Sequence, residues 1–403
     1  MRNLFKNKNF RLLWTSQIMS QITINVMNFL VIVRVFEETH SPIASSLIWV
    51  AYALPALLVG PIGAVTVDMV DRRKVLMFAT LSQSLVILLY VFTYDASFIF
   101  SYFIVFLYSL FNQFYVPAES ASLPYLVSKK ELTEGNSTFF LSQQVSLIIA
   151  IVAAGVIAEV YGLKIAFIAA SSLLVLAFVA VSRLPKMEVS NINFSGSLRK
   201  KVVSFFDQVL EGFRFILTRK FILLPFIFLL SLWTMMGILT VNMPLIGEQI
   251  IKVKSNLAGM MVVLPAAGGA LLGTWYMSKY DQKIRRSKIV KTSLFILAIV
   301  FISVPIVVPI LNFWLARTLV VIAFFFAGLG YIGSLVPSLT YIQTHTPENL
   351  TGRVLGYFWF VSSIIGIIPV LFSATITEIF GIQFLLVLFG IAALVAATVL
   401  KHD

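Results

Sequence analysis

The end of one long apolar run and the connection to the next are formed by the sequence Gly60-Pro61-Ile62-Gly63-Ala64-Val65-Thr66-Val67-Asp68-Met69-Val70-Asp71-Arg72-Arg73-Lys74. The runs cover residues 44–67 and 75–94. Each is long enough to cross the core of a bilayer as a helix, which takes about 20 apolar residues. The connection between them is short and ends in three consecutive basic residues. This pattern predicts a membrane protein built from hairpins of helices.

The composition of the whole chain agrees with that prediction. Of its 403 residues, 59% are hydrophobic and 12% are charged, whereas globular proteins average about 45–50% and about 25%. With 17 acidic and 30 basic residues, the chain has too few charged side chains to cover a soluble protein of this length. The sequence contains no cysteine, which excludes disulfides, thiolate metal sites and cysteine nucleophiles.

One apolar run precedes this pair and nine follow it, so the sequence predicts an all-α membrane protein with twelve transmembrane helices. The first run is longer than the apolar core of a signal peptide, about 7–15 residues, and is expected to remain in the membrane. The predicted spans are residues 12–36, 44–67, 75–94, 98–127, 137–160, 163–184, 221–246, 256–278, 287–308, 311–341, 353–378 and 382–400.

One long connection divides the predicted spans into two groups of six. Residues 185–220 are polar and basic, and they separate an N-terminal half, 1–184, from a C-terminal half, 221–403. The second part of this linker, 203–217, has apolar residues at helical spacing, which predicts an amphipathic helix on the cytoplasmic membrane surface. The alternative is a mobile linker that packs on nothing.

Basic residues are distributed unevenly between the two sides of the predicted membrane protein. When the loops are assigned alternately to two sides, all but five of the 30 Lys and Arg residues lie on the side of the termini. The five exceptions are Arg34, Lys164, Lys252, Lys254 and Arg317. By the positive-inside rule, both termini are therefore cytoplasmic. Topology thus explains the net charge of +13, and no basic soluble domain is present that would bind nucleic acid.

Short sequences of the first half recur in the second half in the same order. The pattern Phe-x-Leu-Leu at Phe10 recurs at Phe221, and Leu-Pro-Ala at Leu54 recurs at Leu264. The pair Val-Pro at Val116 recurs at Val336. The residue numbers of the paired sequences differ by about 210 to 220. This repeat predicts two pseudo-symmetric six-helix halves, an architecture of transporters whose substrate site lies between the halves.

The connection after the second span resembles the signature of the major facilitator superfamily between helices two and three. That signature has a glycine, an aspartate four residues later, and then Gly-Arg-Arg or Gly-Arg-Lys. In this chain the aspartate is Asp68 and the basic pair is Arg72 and Arg73, while Ala64 and Asp71 stand at the glycine positions. Together with the span count, the linker and the repeat, the resemblance covers the whole chain and implies the major facilitator fold.

Three other stretches resemble the macrolide-efflux and enterobactin-exporter-like branch of this superfamily. They are Asn7-Lys8-Asn9-Phe10-Arg11-Leu12-Leu13-Trp14, the run from Pro117 to Pro124, and Thr351-Gly352-Arg353-Val354. The resemblance implies a secondary active transporter of the bacterial plasma membrane. It would export a hydrophobic or amphipathic small molecule, such as a macrolide-like drug, by alternating access with proton antiport.

Glu119 is the one carboxylic residue that lies well inside a predicted span. A charge at mid-helix costs about 2.5–3.5 kcal/mol on insertion scales, so its presence requires a reason. One interpretation is that Glu119 takes up a proton or binds a cation during transport. The other is that it pairs with Arg72 or Arg73 in a cytoplasmic gate, as an acid at the inner end of helix four commonly does in the superfamily.

Four amide side chains lie on one face of span one, since Gln17, Gln21, Asn25 and Asn28 follow each other at helical spacing. A polar stripe in a membrane must face protein or water. It is therefore predicted to line a substrate cavity, and the alternative is hydrogen bonding to a neighbouring helix. The candidate cavity residues on other spans are Asn112, Tyr115, Trp233, Tyr331 and Trp359.

The family resemblance also implies a gate at the cytoplasmic end. Asp68 is expected to accept hydrogen bonds from a helix N-terminus in the other half and so to stabilise the outward-open state. The residues assigned to this gate are Asp68, Asp71, Arg72, Arg73 and Arg353.

The sequence contains no catalytic or phosphate-binding motif, so neither an enzyme nor a bound cofactor or metal is predicted. The expected partners are the lipid bilayer, a small-molecule substrate and protons, and a monomer is expected. A siderophore or metallophore exporter is the first alternative function. A transporter-like membrane sensor or structural partner is the second.

Overall fold

The computed structural model describes residues 4–67, 69–128, 131–187, 216–280, 286–346 and 366–399, together with Val354, Phe358, Val361 and Ser362. Within these ranges the chain is helical and contains no β-strand. Twelve helices of 14 residues or more lie in the described ranges. They are α1 (Lys8–Thr39), α2 (Pro42–Val67), α3 (Arg72–Thr93), α4 (Phe100–Leu126), α5 (Leu132–Tyr161), α6 (Leu163–Ser182), α7 (Lys220–Val241), α8 (Ser255–Tyr280), α9 (Arg286–Val307), α10 (Phe313–His345), α11 (Ile367–Phe380) and α12 (Ile382–Val399).

Ten of these helices are long and apolar enough to cross a membrane, counted over the described residues. The prediction of an all-α membrane protein is therefore confirmed. Of the other two helices, α11 has 14 described residues. Helix α4 has 27 residues, but Ser, Tyr, Asn and Gln side chains interrupt its apolar surface. The helix that carries Glu119 is thus long enough for a span and contains several polar side chains.

The predicted end of span seven at residue 246 is wrong. Helix α7 ends at Val241, and a short turn, Met243–Leu245, and a π-helix, Ile246–Ile251, follow it. Pro244 explains the break, because proline has no backbone N–H and its ring clashes with the carbonyl of the preceding turn. The buried Asn242 side chain closes the helix end, donating to Ile238 O at 2.9 Å.

The chain separates into two compact units, Met1–Glu38 with Leu47–Phe206 and Thr39–Ser46 with Asp207–Asp403. In unit 1, α3 packs against α4 and α6, and α5 packs against α6. In unit 2, α9 packs against α10 and α12, and α11 packs against α12. The predicted linker at 185–220 and its amphipathic helix stay predictions, because residues 188–215 lie outside the described residues.

The last two helices of each unit are joined in the same way. Gly162 connects α5 to α6 with φ 86°, and Gly381 connects α11 to α12 with φ 83°. This left-handed conformation is strained for residues with a side chain, so a glycine is required at both joints. The shared helix pairing and the shared joint match the sequence repeat between the halves.

Glycines also allow close contact between helices within each unit. A Cβ atom at Gly63 of α2 would lie 2.1 Å from the carbonyl oxygen of Gln113 in α4. In unit 2, a Cβ at Gly269 of α8 would lie 1.7 Å from Phe325 O in α10, and one at Gly328 of α10 would lie 1.8 Å from Ala266 O in α8. Small residues at such crossings are typical of membrane helices, whose association depends on close packing.

Candidate functional site

Three of the predicted polar residues of unit 1, Gln17, Tyr115 and Glu119, lie where hydrogen bonds join α1 to α4 and to α5. Gln17 of α1 is buried and joins α1 to α5 through both ends of its amide. Its Oε1 accepts a hydrogen bond of 2.7 Å from Ser142 Oγ, and its Nε2 donates to Phe139 O at 3.2 Å. Gln17 thus has hydrogen-bond partners within the protein, as buried amides require.

Glu119 is buried, with 7% of its surface exposed, and is hydrogen-bonded along α4. The Tyr115 hydroxyl donates to Glu119 Oε1 over 3.0 Å. Ser16 Oγ of α1 lies 3.3 Å from the same Tyr115 oxygen. Because the Tyr115 hydrogen points to the carboxyl group, Ser16 is the donor in the second contact. Ser16, Tyr115 and Glu119 form a chain of hydrogen bonds next to Gln17, which is called the Glu119 cluster below.

The basic residues proposed as partners of Glu119 lie elsewhere. Within the described residues, Glu119 forms no ion pair with Arg72 or Arg73. The Arg73 guanidinium donates to Ser182 O at 2.5 Å, and this contact fixes the start of α3 to the end of α6. The carboxyl group of Glu119 is therefore held by a neutral hydroxyl rather than by a cation.

Asp71 also connects the start of α3 to the segment that follows α6. Its Oδ1 accepts from Arg73 N at 3.0 Å, which caps the N-terminus of α3. The same oxygen accepts from Met187 N at 3.1 Å, so it also holds the segment that follows α6. Arg72 of the predicted gate is half-buried, and its Nε has no hydrogen-bond partner among the described residues. The remaining two gate residues, Asp68 and Arg353, lie outside the described residues.

A second polar group lies further along α4 and joins three helices. Asn112 Oδ1 accepts from Gln83 Nε2 of α3 at 3.3 Å, and Asn112 Nδ2 donates to the Tyr52 hydroxyl of α2 at 3.2 Å. Ser109 Oγ donates to Tyr52 O at 2.5 Å. Gln83 is fully buried, and its Oε1 has no hydrogen-bond partner among the described residues.

The polar stripe of α1 divides into two parts. Gln17 takes part in the contacts with α5, whereas Gln21 and Asn25 are half-buried. Asn25 Nδ2 donates to Gln21 O at 2.7 Å, a bond within the helix. Asn28 Oδ1 is buried and has no hydrogen-bond partner among the described residues.

The candidate residues of unit 2 are more scattered. Trp233 of α7 is half-buried and packs against an apolar cluster that includes Phe226 and Phe358. Tyr331 of α10 is also half-buried. Trp359 lies outside the described residues.

The predictions missed five residues of the unit 1 site: Ser16, Tyr52, Gln83, Ser109 and Ser142. Gln83 carried a usable signal, because a glutamine inside an apolar span must face protein or water. The others carried little signal, since Ser and Tyr are common in membrane helices for reasons unrelated to a site.

The family model of the Major Facilitator Superfamily matches residues 13–369. Macrolide efflux protein A of Streptococcus pyogenes is 27% identical over 183 residues, which cover 44% of this chain. The chain spans less than half of that relative, 45% of its length.

Solved structures with the same fold cover nearly the whole chain. A bacterial homolog of the human lysosomal transporter Spinster gives a TM-score of 0.74 at 13% identity, covering 98% of this chain and 96% of that one. A POT family transporter in complex with 5-aminolevulinic acid gives 0.73 at 12% identity, covering 97% and 94%. At such identities the likeness shows the fold alone. The family match over most of the chain agrees with this fold, and the chain belongs to the Major Facilitator Superfamily.

Proposed function

We propose that this multi-pass membrane transporter exports a hydrophobic or amphipathic small molecule, of the macrolide class, across the bacterial plasma membrane. Export proceeds by alternating access and is driven by proton antiport, with both termini in the cytoplasm. The observation that carries the proposal is the Glu119 cluster, in which a buried carboxyl group is held by the Tyr115 hydroxyl and pairs with no cation among the described residues.

A buried carboxyl group without a counter-charge favours its neutral form, because an isolated buried charge is costly. Loss of the proton would then require new partners or access to water, and either one changes the packing around α4. A proton-driven exporter needs such a coupling between protonation and conformation. Glu119 is therefore assigned as the residue that carries the proton.

The substrate class is supported by two features. The half-buried candidate side chains Gln21, Asn25 and Tyr331 are neutral, which suits a ligand with little charge. The similarity to macrolide efflux protein A points to the same class, although it covers less than half of each chain.

A metallophore exporter is the weaker candidate, since an anionic substrate would need cations at its binding site. The side chain of Arg34 is paired with Glu38 at the end of α1. The guanidinium of Arg317 stacks 3.7 Å above the Phe313 ring near the start of α10. Neither cation belongs to the polar clusters of unit 1. The sensor role would require that the protein transports nothing.

Asp68 and Arg353 are assigned to a cytoplasmic gate on the family resemblance. Asp71 and Arg73 support this gate by fixing the start of α3 to the end of α6. Asp68→Asn is expected to shift the protein away from the outward-open state. Because the chain has no native cysteine, single introduced cysteines can report accessibility from each side.

The function is tested with the purified protein in liposomes. An imposed pH gradient should drive accumulation of labelled erythromycin, and a protonophore should abolish that accumulation. The same liposomes should not accumulate a labelled ferric siderophore. Accumulation of the siderophore instead of erythromycin would select the metallophore alternative, and transport of neither compound would favour the sensor role.

A further inference from the structure

Unit 2 has an apolar groove on the surface formed by α8 and α10. Its volume is about 550 Å³, and its lining residues are Leu264, Pro265, Gly268, Val321, Ile322, Phe325 and Phe326. Volumes of about 300–1,000 Å³ are typical of small-molecule sites. Such sites also contain a few polar groups that orient the ligand, whereas this α8–α10 groove is lined by apolar residues. The part of a ligand that it holds is therefore hydrocarbon.

The shape of the α8–α10 groove follows from the glycines of the two helices. Gly269 and Gly328 bring the backbones of α8 and α10 into close contact beside the lining residues Pro265 and Phe325. Gly268 contributes no side chain to fill the space beside it. A Cβ at Gly268 would lie 3.5 Å from the Phe325 ring, an ordinary contact, so the space can accept additional atoms.

A cation lies on the same face of α10, at one end of the groove. Arg317, Val321 and Phe325 are spaced four residues apart, which aligns them along the helix, with Arg317 about 6 Å from Val321 along the axis. The Arg317 guanidinium leans back over Phe313, next to the exposed Trp314. Basic and aromatic side chains in this arrangement are typical of the membrane–water interface.

The basic residues near this end of unit 2 differ from those of unit 1 in their ion pairing. Arg34 pairs with Glu38, and Lys164 pairs with Asp95. In contrast, Arg317 and the exposed Lys252 form no ion pair among the described residues. Lys252 follows the π-helix Ile246–Ile251, which packs against α10. Lys252 therefore lies just before the start of α8, and Arg317 lies near the start of α10.

We propose that the α8–α10 groove binds an acyl chain of an anionic phospholipid, with the headgroup held at Arg317 and Lys252. The apolar lining accounts for the acyl chain, and the two cations account for the anionic headgroup. None of the groove's lining residues is a candidate cavity residue or a member of the Glu119 cluster, so the proposal does not rest on the transported substrate.

The test compares phosphatidylglycerol with phosphatidylcholine on the purified protein in detergent, by native mass spectrometry and thermal unfolding. Phosphatidylglycerol is expected to remain bound and to raise the melting temperature more than phosphatidylcholine. Arg317→Gln should weaken phosphatidylglycerol binding by about fivefold, the effect of one basic residue near a membrane surface. Gly268→Leu should abolish the preference by filling the groove, and Arg317→Lys should retain it.

Lys164→Gln is the matched control, since it removes a cation of unit 1 that is paired with Asp95. It should keep the preference for phosphatidylglycerol. Equal binding of the two lipids, or an unchanged preference in Arg317→Gln, would overturn the proposal. Three other results would also overturn it. They are stabilisation by inorganic phosphate equal to that by phosphatidylglycerol, displacement of the bound lipid by erythromycin, and a dimer of the wild-type protein that Gly268→Leu converts to monomers.

Discussion

The Tyr115 hydroxyl donates a hydrogen bond of 3.0 Å to Glu119 Oε1, one turn away on the same helix. Ser16 Oγ of α1 lies 3.3 Å from that hydroxyl, so the contact links two helices of unit 1 to the carboxyl group. Any change in the charge of Glu119 therefore acts first on Tyr115. This pair connects the proton of the proposed mechanism to the packing of α1 against α4.

Replacement of Tyr115 by phenylalanine is expected to lower stability and proton-driven transport together. The variant leaves the buried Glu119 without its described donor, and an unsatisfied buried polar group costs about 1–3 kcal/mol. Thermal unfolding in detergent and transport in liposomes measure the two effects. Tyr125→Phe is the control, because Tyr125 is an exposed residue of the same helix. Equal behaviour of the two variants would show that the Tyr115 hydroxyl has no role.

The contact between Gln17 and Ser142 should be measurable as a coupling between α1 and α5. Ser142→Ala removes the 2.7 Å donor to Gln17 Oε1 and is expected to destabilise the protein by about 1–3 kcal/mol. Combined with Gln17→Ala, it should show a coupling energy of about 0.5–3 kcal/mol in a double-mutant cycle. Ser172→Ala serves as control, since the exposed Ser172 hydroxyl bonds to its own helix at Ile168 O. Additive losses at Gln17 and Ser142 would argue against the contact.

Two glycines of α2 should respond differently to alanine. A Cβ at Gly63 would lie 2.1 Å from Gln113 O, so Gly63→Ala forces α2 and α4 apart and is expected to cost about 1–3 kcal/mol. A Cβ at Gly60 would lie 3.6 Å from Gln113 Oε1, so Gly60→Ala fits without displacement. The melting temperatures of the two variants test this difference. A Gly63→Ala protein as stable as Gly60→Ala would contradict the close contact of the two helices.

The two acceptor bonds of Asp71 predict a graded series of variants. Asp71→Ala removes the cap of α3 and the contact with Met187 N, and loss of a cap costs about 0.5–2 kcal/mol. Asp71→Asn keeps an acceptor oxygen and should retain most of the stability. The order wild type, Asp71→Asn, Asp71→Ala in thermal unfolding is the expected result. Equal stability of all three proteins would show that these bonds contribute nothing.

The helices could be predicted closely from the sequence because apolar runs of span length form a strong pattern. The predicted span 75–94 corresponds to α3 at Arg72–Thr93, and 382–400 corresponds to α12 at Ile382–Val399. Span seven was predicted too long, since Pro244 breaks the helix inside a run that stays apolar. A hydropathy pattern does not reveal such a break, because proline interrupts the backbone hydrogen bonds of a helix without making the sequence less apolar.

The site was less predictable than the fold. The depth of Glu119 followed from its position in the run, but its partner did not: the sequence analysis offered Arg72 or Arg73, and the structure shows Tyr115. The buried Gln83 was not predicted, although a glutamine inside an apolar span must face protein or water. Which polar residues meet depends on helix rotation and contact distances, and neither is encoded in hydropathy.

The central claim is that Glu119 carries the coupled proton. Glu119→Gln removes the titrating group and keeps an acceptor for Tyr115, and Glu131→Gln is the control at an exposed acid that bonds to Ser128. The measurement is uptake of erythromycin into liposomes, driven by a pH gradient, alongside exchange of labelled for unlabelled erythromycin without a gradient. The account predicts that Glu119→Gln loses gradient-driven uptake and keeps exchange, while Glu131→Gln keeps both. Gradient-driven uptake by Glu119→Gln at the wild-type rate would contradict it.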